Sequence, residues 1–300
     1  MKRLCLLVLV LTVVACAQEQ PAPAAPQHMS NLVERALSPT YSDLNCAGFI
    51  SKESYNHANY LLAGAEAPAA NQFGERDIVF LEGSGYAEGQ QYSLIRELRD
   101  PNRYPAFAGQ GVAIASVGQP YQELGRVKII GMRGKTAIAE VEFSCTAMVA
   151  GDLVVPFVEK QPVQYRNAGF ERFPTGASSV NGRIVMAKEF DVIVASGQKV
   201  YLNVGSSQGV KVGDYFRAVR NYDPMKQDPV EALSFKMQQS EDAMKKQPRI
   251  TSAMYAELPK RALGEMIVIS VTPTSATAMI TMAKEHINVG EAVELEGPQQ

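Results

Sequence analysis

Apolar and polar positions alternate along most of the chain beyond residue 45, and that period of two predicts many short strands. Ala137, Ala139, Val141 and Phe143 alternate with Ile138, Glu140 and Glu142, which puts the acids on a solvated face and the first set inward. The same rhythm returns at Ala276, Ala278, Ile280 and Met282, again as inward positions. Further strands are expected at residues 47–50 and 182–185, one ahead of each alternating region. Turns fall where glycine clusters with Ser, Asn or Asp: Gly83 to Gly85, read as a hairpin turn, Gly131 to Gly134, Asn181-Gly182, and Gly205 to Gly209.

The two alternating regions are copies of one another. Leu124-Gly125 through Val154 lies over Leu263-Gly264 through Val293 without a gap at a constant shift of 139, matching Ala137 to Ala276, Ala139 to Ala278 and Gly151 to Gly290. An upstream block repeats as well: Val79-Phe80-Leu81 corresponds to Val200-Tyr201-Leu202, and Gly89-x-x-Tyr92-x-x-Ile95-Arg96 to Gly213-x-x-Phe216-x-x-Val219-Arg220. The shift there is 124 at the arginines, so the second copy carries 15 extra residues between its blocks. Short strands with regular turns, duplicated, predict a mainly β chain of two tandem antiparallel barrel or sandwich modules. The boundaries are residues 44–159 for the first module, 160–179 for a linker, and 180–296 for the second module.

The second module has a helical insertion, residues 222–262, with Asp228 as N-cap, Pro229 at the first helical position and Pro248 beyond the end. Val230, Leu233, Met237 and Met244 form its apolar stripe, which docks on its own barrel or on a partner. The equivalent stretch of the first module, Glu97 to Glu123, is rich in Pro, Gly and Tyr and reads as a long surface loop.

The first residues, Met1-Lys2-Arg3 followed by an apolar run from Leu4 to Ala15, have the layout of a secretory signal over 1–17 and are too short to span a bilayer. Val13-Val14-Ala15-Cys16 resembles the lipobox of bacterial lipoproteins, with Cys16 as the lipidated residue; ordinary cleavage around Ala15-Cys16-Ala17 is the alternative. Ala17 after the cysteine implies, by the same resemblance, the outer membrane. Residues 18–43 read as a Pro/Ala spacer and a short helix starting at Ser30. In an oxidising compartment Cys46 and Cys145 either form one disulfide or remain two buried thiols.

Charge is balanced, with 29 Lys+Arg against 31 Asp+Glu, and gives no basic footprint for nucleic acid. Gly131-Met132-Arg133-Gly134-Lys135-Thr136 imitates a phosphate loop, yet a strand follows it rather than a helix, and Pro273-Thr274-Ser275 in the other copy has none of that chemistry. His28, His57 and His286 are isolated in sequence and lack metal-ligand spacing, so neither a metal nor another cofactor is expected. No catalytic residues are assigned. Arg96 and Arg220 end the same strand of each module and are the candidate ligand contacts, the alternative being that each pins a loop or pairs with a local acid. Asp152 and Glu291, after their glycines, read as turn residues.

The second copy, from Val200-Tyr201-Leu202-Asn203-Val204-Gly205 through Gly213-Asp214-Tyr215-Phe216 to Val289-Gly290-Glu291, resembles the C-terminal module of the flagellar assembly protein T family. The first copy, ending Gly151-Asp152-Leu153-Val154-Val155-Pro156, is similar to β-modules that accompany LysM domains in envelope proteins. These resemblances imply a non-catalytic periplasmic binding or assembly lipoprotein. Its expected partners are a cell wall polymer or an envelope protein complex, with the membrane touched only through the lipid. The alternative of a different class is a secreted hydrolase with a dispersed active site.

Overall fold

The computed structural model describes residues 37–65, 72–163, 169–175, 178–221 and 251–297, all within one compact unit, Arg35–Gln300. The leader, Cys16, the Ser30 helix and the helix expected from Asp228 lie outside the described residues.

The first module contains a helical turn α1 (Tyr41–Asn45) and strands β1 (Phe49–Ser51), β2 (Tyr60–Gly64), β3 (Ile78–Glu82), β4 (Gln91–Glu97), β5 (Gln119–Arg133), β6 (Thr136–Ser144) and β7 (Leu153–Pro156), with helix α2 (Gln110–Val117) ahead of β5. Six of these strands close into an antiparallel barrel in the order β5-β4-β7-β2-β3-β6, β6 returning to β5, while β1 pairs with the start of β5 outside the ring. The second module contributes β8 (Asn181–Ala187), β9 (Ile193–Val194), β10 (Lys199–Leu202), β11 (Tyr215–Arg220), helix α3 (Ser252–Glu257), β12 (Arg261–Val271), β13 (Ala276–Ala283), β14 (Ile287–Asn288) and β15 (Ala292–Leu295). Its barrel runs β12-β11-β15-β8-β10-β13 and closes on itself; β9 and β14 form a separate ribbon.

The two rings have the same strand order, so the duplication read from sequence is a duplication of topology. It extends to irregularities. Each barrel has four register shifts at matching places: at β2/β3 and β8/β10, at β4/β5 and β11/β12, and twice along β5/β6 and β12/β13. Bulges of this kind bend and close a sheet, and they keep their positions in both copies. Ala137 and Ala139, with Ala276 and Ala278, are buried at the same two inward columns of the two barrels.

Several expectations change. Phe143 does not point inward: the register slips between Arg126 and Val127 opposite it, and its ring stands edge-on to Tyr41 at 5.4 Å. The strand expected over 47–50 lies outside the ring, and the first ring strand is β2, the counterpart of β8. Gly83 to Gly85 is not a hairpin turn, because β3 and β4 are not neighbours; the segment crosses between strands and is held by Asn59, which bonds both the N–H and the C=O of Ser84. The expected surface loop from 97 to 123 contains α2, and this helix lies on the second module. Gly134 and Lys135 do form the two-residue turn between β5 and β6, so a strand and not a helix follows the segment that imitates a phosphate loop.

Candidate functional site

Arg96 and Arg220 occupy the same place at the ends of β4 and β11, and both are held by an acid of their own module. Arg96 donates from Nε and Nη2 to the two carboxylate oxygens of Asp152 at 2.7 and 2.8 Å, and from Nη2 to the Ala147 carbonyl at 3.2 Å. Arg220 donates from Nε and Nη2 to Oε1 of Glu291 at 2.9 and 2.6 Å, and to the His286 carbonyl at 3.3 Å. The acids sit at the ends of matching turns in which Gly151 and Gly290 take positive φ, 95° and 103°, as the third residue of such a turn requires. Asp152 is nearly fully buried and also accepts from Val149 N at 2.6 Å. Its hydrogen bonds hold the Arg96 guanidinium above its ordinary basicity, against burial that works the other way.

This repeated clamp ties the turn before β7 or β15 to the far end of the neighbouring strand. Arg96 is about one-third exposed, so screening lowers the usual cost of breaking a buried pair; Arg96→Ala is expected to destabilise by about 2–3 kcal/mol. Arg220→Ala should cost less, about 1–2 kcal/mol, because Glu291 is less deeply buried than Asp152. Urea titrations of the two variants test both values. Equal midpoints for Arg96→Ala and the parent would remove the clamp from the account.

Cys46 and Cys145 are joined as a disulfide, with Cα atoms 5.5 Å apart and a sequence separation of 99. The bridge fixes the end of α1 to the end of β6. Beside it, Tyr41, Glu123, Arg126, Phe143, Phe157 and Lys160 line a cavity of about 20 Å³, room for roughly one water. Most of its charged groups are hydrogen-bonded: Glu123 accepts from Gly48 N at 3.0 Å and pairs with Lys160, which also donates to the Leu44 carbonyl, while the buried Nε of Arg126 lies 3.3 Å from the Glu142 carboxylate without a hydrogen bond. Arg126 donates to the Tyr41 hydroxyl and lies over the Phe157 ring. Asp43 of α1 pairs with Lys199 of β10; burial alone would raise its carboxyl, but that partner and Thr40 bring it below its ordinary value.

His57 lies 3.3 Å from Glu97 on the surface, and His286 packs beside Arg220, so the two described histidines are far apart in role as in sequence. Among the described residues no three His, Cys, Asp or Glu side chains gather as metal ligands. No helix among them is long and apolar enough to cross a membrane, which says nothing of β-barrels.

The larger polar construction is a seam between the modules. The Tyr201 hydroxyl donates to the Ala47 carbonyl at 3.0 Å, Thr277 to Gly48, Ser275 to Ile50 and Thr274 to Val117. Gln110 of α2 donates to the Val185 carbonyl of β8 at 3.0 Å. Ile50, Val117, Val185, Met186 and Tyr201 close over these bonds as an apolar cluster. A second cluster joins Leu44 and Ala47 to Tyr215, Ile267, Ile269 and Met279. The strands β12 and β13 are therefore buried on both faces. Sequence reading missed this seam, although the apolar residues at both parities of β12 were its signal.

A scan against protein-family models returns no match, and a search of curated proteins returns none either.

Proposed function

We propose that the protein is an exported, lipid-tethered, non-catalytic scaffold of the bacterial cell envelope, binding the cell wall or an envelope protein complex through the outer surfaces of its two barrels. The observation that carries the binding role is the repeated clamp: the arginines placed to grip a ligand each serve an acid of their own module, and the binding role is therefore assigned to the outer surfaces of the barrels. Export is supported by the charged and apolar leader and by the Cys46–Cys145 bridge, which suits an oxidising compartment. Cys16 is the residue that would carry the lipid, and the periplasmic face of the outer membrane is the location that follows. The resemblance of the second module to the flagellar assembly protein T family points the same way.

The test is co-sedimentation of the chain from Gln18 onward with purified peptidoglycan sacculi across a salt series. Pelleting that persists at high salt supports wall binding. Absence of pelleting removes the wall as partner and leaves the protein complex, to be sought by crosslinking in cells. In a host with two membranes, Cys16→Ala is expected to move the protein from the membrane fraction to the soluble periplasmic one.

A further inference from the structure

The internal repeat allows one face to be compared with itself. On the second barrel, Val185, Tyr201, Ile269 and Thr277 point outward and are at most 2% exposed, covered by the first module and the segment leading into it. The strand pairings assign their counterparts on the first barrel. Phe80 pairs with Ile138 as Tyr201 pairs with Thr277, and Leu62 occupies the bulge between Leu61 and Ala63 as Val185 does between Ile184 and Met186. Ile130 lies in the bulge of β5 that matches Ile269 in β12.

On the first barrel no described element covers this face. Leu62 is 41% and Ile130 44% exposed, and Phe80 and Ile138 are half-buried. The bare face is also the more apolar of the two: Phe stands where the covered face has a hydrogen-bonded Tyr, and Ile where it has a hydrogen-bonded Thr. Four adjacent large apolar side chains at outward positions mark an interaction surface rather than scattered exposure.

What covers the second barrel indicates what covers the first. There, α2, the last element of the excursion before the long strand β5, lays Ile114 and Val117 on the face. The second module has a counterpart in chain order: α3 ends just before β12, with Met254 50% and Leu258 43% exposed at this end of its excursion. Among the described residues, the first barrel thus has a bare receiving face, and the second has exposed apolar side chains, Met254 and Leu258, at the end of its excursion.

We propose that this chain associates with a second copy of itself head to tail, the α3 end of one copy docking on the Leu62–Phe80–Ile130–Ile138 face of the next. The contact joins two different surfaces, so it propagates until a ring closes or a filament forms. It rests on the repeat alone and stands whether or not the envelope reading does.

The experiment is sedimentation equilibrium of the chain from Gln18 onward, which keeps the whole compact unit, over concentrations into the hundred-micromolar range. The expected mass rises past that of a dimer. Phe80→Asp, or Leu62→Asp at an already exposed position should Phe80→Asp fail to fold, is expected to weaken association at least about tenfold. The double change Met254→Asp with Leu258→Asp should do the same. Mixing a face variant with an α3 variant restores one junction per pair and should give dimers that grow no further. Three results would overturn the proposal: a parent chain that stays monomeric throughout, association that stops at a dimer indifferent to the α3 changes, which would be face-to-face pairing, or a bare face that takes up only a different protein in a crosslinking control.

Discussion

Replacing Cys46 and Cys145 together with alanine is expected to lower the unfolding free energy by about 3–5 kcal/mol, a large share of the 5–15 kcal/mol typical of a folded chain. The loop closed by the bridge has a sequence separation of 99 and holds β1 and most of the first barrel, from β2 to β6. The entropy removed from the unfolded chain by closing a loop of that length corresponds to about 4–5 kcal/mol. The cysteine at position 46 also follows α1, whose Leu44 packs with Tyr215, Ile267 and Met279 of the second barrel. Loss of the bridge therefore frees the segment that lies between the modules, and both should feel it. Urea unfolding of the parent with and without dithiothreitol, beside the double variant, provides the measurement. Reduction should reproduce the variant's midpoint; an unchanged midpoint on reduction would show that the two thiols are not paired in the protein.

The repeat was legible because a barrel core is a pattern of small and apolar side chains at fixed columns, and both copies keep Ala137/Ala276 and Ala139/Ala278. Its failures have physical causes. A bulge shifts the pairing by one residue, and alternation has no way to announce it, so alternation puts Phe143 inward although the slip after Val141 turns it toward Tyr41. Strand β2 was missed because Tyr60-Leu61-Leu62-Ala63 has no alternation: Leu61 faces the core, and Leu62 is the extra residue of a bulge on the outside. The helix α2 has a glycine and β-branched residues in eight positions and little intrinsic preference for helix; docking against β8 holds it.

The candidate site was legible in its parts and not in their pairing. Arg96 and Arg220 stood out as a repeated position, and Asp152 and Glu291 as repeated turn residues, but the bonds joining them span 56 and 71 residues and arise only when β7 and β15 return beside β4 and β11. The receiving face had a plainer signal, an isoleucine at position 138 on a face otherwise occupied by Glu140 and Glu142.

Tyr201 is where the difference between the two copies becomes energy. The first module has Phe80 in its place, half-buried and without a hydroxyl; Tyr201 is fully buried and bonded to the Ala47 carbonyl across the seam. Next to it Gly48 has φ of 71°, and a Cβ there would stand 2.5 Å from the tyrosine oxygen, so the ring and that backbone turn are fitted to one another. Tyr201→Phe keeps the ring and strips the carbonyl of this donor, an expected cost of about 1–2 kcal/mol. Tyr201→Ala adds a cavity in the seam and should cost about 3–5 kcal/mol. The same burial pushes the phenol far above the 10.0 of a free tyrosine. The unfolded chain then loses its proton first, so this contribution is whole below pH 10 and falls as pH rises beyond it. Because the seam is what couples the barrels, calorimetry should show one transition for the parent and two for Tyr201→Ala, with the first barrel and the second melting apart. A single transition for Tyr201→Ala, at the parent's midpoint, would mean that the coupling lies elsewhere in the seam.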